Sequence, residues 1–376
     1  MTQSNPYYCS KIINGLYVEK VSSGKIRVSA CCINSPGEPQ DTVNFATDPH
    51  LDTQRKLMMA QQPVPGCEIC YRSEKETQYS MRIVANKLWP KDSLPDQVII
   101  KNLDYNVDPI CNAKCIQCSS YYSSSWAAEN QRFNVNHIEI RTNSTTKLNN
   151  LSHTIDLTTV KKIYFNGGEP MLSDEPRIIM QRLKDMSRLS EVTIQFNTNG
   201  SILPSNNLIE LWSECRAVNV MFSIDGTGSA FEYIRNPLKW DQIEKVVEQF
   251  GNLTLPNYSI NIAYTAGIHN IDTIEKTYQW FLAKSRNWKF QQDFRVHPCH
   301  GLLDISGAES ELKKYWLEQL THQAPQKWHT LLQNRIQTSS TLNNWRDWLK
   351  TIDQRRNLNW QNSLPELAMA CEKSLA

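Results

Sequence analysis

Cys111-Asn112-Ala113-Lys114-Cys115-Ile116-Gln117-Cys118 is the stretch on which the reading of this chain turns. It sets three thiols in a C-x3-C-x2-C spacing just after a β-rich run, Val98 to Leu103. Three thiolates in a short loop suit three irons of a [4Fe–4S] cube, because such clusters are ligated by cysteine sulfur. The fourth iron would then be open to a ligand, which is what separates catalytic metal sites from closed structural ones. A zinc knuckle completed by a distant His or Cys has the same spacing, so spacing alone leaves both open.

Outward from this loop, the next β-rich run, Lys162 to Phe165, leads into Asn166-Gly167-Gly168-Glu169-Pro170. Glycines let a backbone approach a ligand closely, and the carboxyl ends of parallel strands are where barrel enzymes assemble their sites. Further runs at Val192 to Asn197, Val218 to Ile224, Ser259 to Thr265 and Phe294 to His297 make six strands. They alternate with helical patterns around 123–132, 176–187, 206–214, 240–250, 271–284 and 309–320, the order of βα units around a parallel sheet. The expected fold is α/β, a partial (β/α)6 barrel with a C-terminal helical cover.

Four motifs in this order resemble the radical S-adenosylmethionine (radical SAM) superfamily: the cysteine loop, Gly167-Gly168-Glu169-Pro170, Asn197-Thr198-Asn199-Gly200 and Ser223-Ile224-Asp225-Gly226. The resemblance spans about residues 98–300. It implies that Cys111, Cys115 and Cys118 ligate a [4Fe–4S] cluster whose fourth iron is chelated by S-adenosylmethionine. Gly167, Gly168 and Glu169 would receive the methionyl ammonium, a charge-assisted contact. Asn197 would join the cofactor-binding residues, and Ser223 and Arg235 would lie where relatives hold the ribose and carboxylate. Gln117 departs from the family, which commonly has an aromatic residue there against the adenine; Tyr121 or Tyr122 is the candidate substitute. The reaction implied is reductive cleavage to methionine and a 5′-deoxyadenosyl radical that abstracts a substrate hydrogen atom, fed by a donor such as a flavodoxin or ferredoxin. Cys299, in His297-Pro298-Cys299-His300 after the sixth strand, is a candidate hydrogen-atom donor or else a small buried thiol.

Before residue 98 the chain is irregular. Short strands at Leu16 to Val18 and Lys25 to Ser29, a turn at Ser22-Ser23-Gly24 and a helix at Asp52 to Gln61 precede the breaker Pro63-Val64-Pro65-Gly66. Cys67-Glu68-Ile69-Cys70 is a C-x2-C loop suited to two ligands of one metal. It resembles the cysteine-bearing module of SPASM and twitch radical SAM enzymes, and the implied ligand set is Cys9, Cys32, Cys67 and Cys70, with Cys31 as the alternative to Cys32. Glu74 and Ser80-Met81-Arg82 trail it. An auxiliary iron–sulfur cluster, a structural zinc and unliganded thiols all remain open. The expected division is a cysteine-rich module at 1–97, a barrel at 98–323 and a helical extension at 324–376.

Composition bounds the partners. Eight of the eleven cysteines precede residue 120, a distribution that suits metal binding better than disulfides in a chain of 376 residues. The net charge is 40 − 38 = +2, so nucleic acid is not an expected partner. No apolar run approaches the ~20 residues of a membrane span. The polar start, Met1 to Tyr8, lacks the order of a secretory signal, so a cytoplasmic location is expected. The substrate is expected to be a ribosomally made peptide, or alternatively a sugar, aminocyclitol or nucleotide undergoing dehydrogenation or epimerisation. A non-catalytic metal-binding scaffold would require Gly167 to Glu169 to be an incidental turn. Trp316, Trp328, Trp345, Trp348 and Trp360 read as core packing or as a partner surface, and Asn143 to Asn150 as an insertion.

Overall fold

The computed structural model describes residues 5–21, 24–41, 47–77, 80–90, 99–135, 151–323, 326–338 and 340–375. Ser22, Ser23, Val98 and the insertion at Asn143 to Asn150 lie outside them. Eight strands are described: β1 (Gly15–Lys20), β2 (Ile26–Ser29), β3 (Asn102–Asn106), β4 (Lys162–Asn166), β5 (Thr193–Thr198), β6 (Ala217–Ser223), β7 (Tyr258–Ala266) and β8 (Gln291–Pro298). Their order in the sheet is β2-β1-β3-β4-β5-β6-β7-β8, with one or more helices between successive strands from β2 onward. This is the α/β, partial-barrel architecture expected from the motif order.

The chain forms two compact units. The first comprises Met1–Pro109, Glu139–Phe196 and Asn206–Val218, and the second Ile110–Ile138, Asn197–Ser205 and Asn219–Ala376. In the first, β1 pairs antiparallel with β2 and parallel with β3 (Gly15 opposite Asn102), and β3, β4 and β5 continue in parallel register. The N-terminal hairpin thus extends the sheet, so compactness groups residues otherwise than the expected division at residue 97. Alternation on β5, with Ile194, Phe196 and Thr198 buried, places one face on the core. There the rings of Phe165 and Phe196 stack at 5.2 Å, with Trp212 5.3 Å beyond.

In the second unit β7 and β8 run parallel, from Ser259 opposite Gln291 to Ala266 opposite Pro298. The helix Trp240–Gly251 buries Ile243, Val247 and Phe250, spaced to line one face, and Phe250 meets Phe222 of β6 edge-on at 4.9 Å. The tail is helical as expected: Gln326–Gln337, Trp345–Arg356, Trp360–Ser363 and Pro365–Lys373. Trp316, Trp328, Trp345 and Trp360 are buried, which is the packing role, and Trp348 stacks on Trp126 at 5.8 Å.

Candidate functional site: a cysteine loop, a glycine turn and a second group of thiols

In the second unit the Cys111–Cys118 loop is held by its backbone. Ser123 caps the following helix, Ser124–Arg132, by accepting from Trp126 N, and its hydroxyl donates to Ala113 O at 2.7 Å. Ser125 donates to Cys111 O, and Trp126 Nε1 donates to Cys115 O at 2.8 Å. The amides of Lys114 and Ile116 bond Asn236 O and Ile234 O, and Trp348 Nε1 reaches Ile116 O at 3.1 Å. Lys114 Nζ pairs with Glu129, which also pairs with Arg356. None of these ties uses a thiol.

The thiols remain available for other chemistry. Burial pushes the Cys115 thiol up, opposed by the Arg235 guanidinium, whose Nη1 lies 3.5 Å from Cys115 Sγ. Burial, with the neighbouring Cys115 and Cys111, pushes Cys118 up to about 12. Asn199 Nδ2 lies 3.9 Å from Cys111 Sγ and 2.8 Å from Asn112 Oδ1. Among the described residues no three His, Cys, Asp or Glu side chains already converge on a common metal position. The donor set nevertheless fits a thiolate-ligated cluster: three sulfurs on one braced loop, with cationic and amide N–H groups directed at two of them.

Asp225 organises the surrounding polar groups. Fully buried, it pairs with Arg235, accepts from the Gln117 amide and takes the Thr265 amide on Oδ1 at 2.7 Å. Burial alone would lower Arg235, but Asp225 and Cys115 outweigh it and hold the guanidinium charged. Arg235 was expected to receive a ligand carboxylate; its fork is instead engaged by Asp225 and Cys115, leaving only Nε without a partner. Asp225 stands in the Ser223-Ile224-Asp225-Gly226 motif, a signal that sequence reading passed over. Asn197 Oδ1 is buried without a partner, and Ser223 ends β6 half-buried. Cys299 is buried, its amide bonded to Ala266 O at 2.7 Å, and burial pushes its thiol up to about 12.

In the first unit Gly167 follows β4 with φ +114°, where a Cβ would stand 2.2 Å from Asn106 Oδ1 and 2.8 Å from Val107 O. Only glycine fits that approach to the end of β3. Glu169 is buried and caps the short turn Pro170–Leu172 by accepting from Met171 N at 3.1 Å.

The same unit gathers the N-terminal thiols. The C-x2-C was expected as a loop, yet Cys70 lies in the first turn of the helix Glu68–Thr77 and Cys67 just precedes it. Gly66 has φ +84°, and a Cβ there would meet Ser35 at 2.4 Å, so the segment seats on the turn carrying Cys31 and Cys32. Asn34 Nδ2 approaches Cys67 Sγ at 3.6 Å. Burial raises Cys9 and Cys67, and both feel the Cys70 thiol. Cys31 is buried beside Lys11, whereas Cys32 is exposed and lies in the field of Asp104, Lys11 and Cys70. Lys11 Nζ bonds Asp104 Oδ2 at 2.6 Å, a buried pair that sequence spacing gave no means of finding. Arg82 pairs with Glu74 and donates to Tyr8 O at 3.1 Å, next to Cys9, which gives the trailing Glu74 and Ser80-Met81-Arg82 a structural task.

The Radical SAM superfamily model matches residues 105–281. None of the curated proteins matches the chain. Among solved structures, native anSMEcpe with bound AdoMet is similar at 19% identity and TM-score 0.37, over 60% of this chain and 62% of that one. SuiB of Streptococcus suis bound to S-adenosylmethionine is similar at 14% identity and TM-score 0.35, over 82% and 69%. The same SuiB bound to precursor peptide SuiA gives 11% and 0.33, over 84% and 68%. The chain thus spans less than two thirds of the first of these. No helix among the described residues is long and apolar enough to cross a membrane. Residues 105–281, the stretch that is similar to the Radical SAM superfamily, carry the cysteine loop, the Gly167 turn and Asp225.

Proposed function

We propose that the chain is an enzyme that cleaves S-adenosylmethionine reductively and takes a hydrogen atom from a bound substrate. The observation that supports this most directly is the braced Cys111–Cys118 loop with Arg235 Nη1 on the Cys115 sulfur. When bound, the cluster and S-adenosylmethionine would supply one-electron cleavage chemistry, and the protein supplies position and exclusion of water. In this reading Cys111, Cys115 and Cys118 ligate the cluster, Gly167, Gly168 and Glu169 take the methionyl ammonium, and Asn197 and Ser223 serve the rest of the cofactor. Anaerobically reconstituted protein given dithionite and S-adenosylmethionine should release 5′-deoxyadenosine and methionine; no release would sink the reading. The finer reading is modification of a ribosomally made peptide in the cytoplasm, with a flavodoxin or ferredoxin as reductant. It rests on the family association and is tested by the mass change of a precursor peptide encoded beside this chain.

Cys299 is proposed as the hydrogen donor that ends the reaction. Its raised thiol stays protonated at neutral pH, so an S–H bond is there to break. The hydrogen atom would pass to the substrate radical, leaving a thiyl radical that the external reductant returns to thiol with one electron and one proton. Cys299→Ala should abolish solvent-deuterium incorporation into product while 5′-deoxyadenosine release persists; unchanged labelling excludes the role.

The N-terminal thiols are proposed to hold a second iron–sulfur cluster through Cys9, Cys32, Cys67 and Cys70, which the mutual influence of Cys9, Cys67 and Cys70 supports. A Cys67→Ser/Cys70→Ser variant should fall from about eight to about four irons per chain. Equal iron in both proteins, or zinc in the wild type, rejects that cluster.

A further inference from the structure

Glu129 lies on the helix Ser124–Arg132, directly after the cysteine loop, and is buried. Two cations share its carboxylate. Lys114, from between Cys111 and Cys115, reaches Oε2, and the Arg356 guanidinium spans both oxygens, with Nε 3.1 Å from Oε2 and Nη2 3.1 Å from Oε1. Burial would raise the Glu129 carboxyl, but Arg356 and Lys114 outweigh it and hold it ionised. Two cations against one carboxylate leave one positive charge in excess. Arg235 and Asp225, by contrast, cancel each other. The Arg356 side chain is 2% exposed and that of Lys114 22%, so Arg356 is the cation that water screens less. Its Cζ lies 4.5 Å from the ring centroid of Trp126, whose Nε1 donates to Cys115 O at 2.8 Å, and its Nη1 is buried without a partner. Burial pushes the Cys115 thiol up, and the two cations that oppose it are Arg235 and Arg356. The C-terminal helix Trp345–Arg356 fixes this placement. Trp348 stacks on Trp126 and bonds Ile116 O, and Arg355 Nη1 bonds Asn130 Oδ1 at 3.2 Å.

We propose that Arg356, carried by the C-terminal helix, is a positioning residue whose buried charge eases reduction of the cluster held by Cys111, Cys115 and Cys118. This rests on the reading that the loop holds a cluster. Adding an electron to a thiolate-ligated cluster adds negative charge, and net charge around a cluster is one of the settings of its potential. A cation shielded from solvent lowers the cost of that electron more than an exposed one does, because the medium between them screens less. Arginine keeps its charge when buried, as lysine need not. Glu129 moderates the effect: it holds the guanidinium in place and offsets part of its field.

Potentiometric titration of the reconstituted protein decides it, followed by electron paramagnetic resonance on the reduced-cluster signal that the Cys111→Ala/Cys115→Ala/Cys118→Ala variant lacks. At a poise where half of the wild-type cluster is reduced, Arg356→Met should lower the reduced-to-oxidised ratio at least about fivefold, and Glu129→Gln should raise it at least about fivefold. Arg356→Lys keeps the charge, loses the two-pronged bond and should stay within about twofold of wild type. Opposite shifts from two variants that break the same contact follow from a field and not from packing. An unchanged ratio in Arg356→Met overturns the proposal, and so does an Arg356→Lys that falls as far as Arg356→Met. Should Arg356→Met fail to fold, Glu129→Gln decides: a raised ratio supports the charge, and an unchanged or lowered one refutes it. A reconstituted wild type without the signal rejects the cluster reading and the proposal with it, whereas a signal that no variant shifts rejects the proposal alone.

Discussion

A Cys111→Ala/Cys115→Ala/Cys118→Ala variant should release no 5′-deoxyadenosine above background under conditions where the wild type turns over, and should lose about four irons per chain. The loss should be chemical and not a failure to fold. Backbone bonds and ties through Ser123, Ser125, Trp126, Trp348 and Lys114 shape the loop without sulfur, and the variant removes the sulfur-directed bonds of Arg235 to Cys115 and of Ala113 N and Asn199 to Cys111. Removing a thiol from a half-buried loop leaves a small space, and its cost lies near the low end of large-to-small substitutions. Far-ultraviolet circular dichroism and the unfolding midpoint should therefore stay close to wild type. Retained 5′-deoxyadenosine release with the iron gone would remove this loop from the chemistry. Retained iron with release abolished would instead leave the sulfurs as something other than cluster ligands.

Four barrel strands were legible to within a residue or two: β4 and β5 alternate with one face on the core, while β7 is buried along nearly its whole length, as a strand covered on both faces is, and β6 passes from the first pattern to the second. The first expected barrel strand was displaced for a physical reason. Val98 to Leu103 contains the apolar run, but β3 is Asn102–Asn106, whose polar side chains are buried and satisfied by partners distant in sequence. Asn102 donates to Asp104 at 2.9 Å, Lys11 to the same carboxylate, and Asn106 to Tyr17 OH at 2.6 Å. Hydrophobic periodicity is blind to a strand stabilised this way. β1 escaped as part of the sheet for a related reason, since Glu19 and Lys20 are buried in ion pairs with Arg27 and Glu175. The helix expected at Asp52 begins at Pro49, where Asp48 caps Leu51 N and proline takes the first position, a local signal present in the sequence. At the site, the cysteine spacing picked out the loop, whereas the part played by Asp225 became visible only when folding brought Arg235, Gln117 and the Thr265 amide onto its carboxylate.

The second large effect is expected at Asp225. Asp225→Asn keeps an acceptor for Thr265 N but leaves the Arg235 guanidinium buried without its counter-charge. Breaking a buried pair from one side costs about 3–5 kcal/mol, because the remaining charge is desolvated and unpaired. At about 2.1 cal/mol/K of unfolding entropy per residue, 1 kcal/mol is worth about 1.3 °C in a chain of 376 residues, so the apparent Tm should fall by roughly 4–6 °C. Arg235→Met should destabilise for the mirror reason, stranding the carboxylate. The double variant removes both charges and should recover much of the loss, so the two single effects should be strongly non-additive. Arg235→Met also removes the N–H on Cys115 Sγ, and hydrogen bonds to cluster sulfur raise the reduction potential, so the reconstituted variant should be harder to reduce than wild type. Asp225→Asn with an unchanged midpoint would show that the pair is not desolvated as its burial implies. Additive single effects would show that Asp225 acts through Gln117 and Thr265 and not through Arg235.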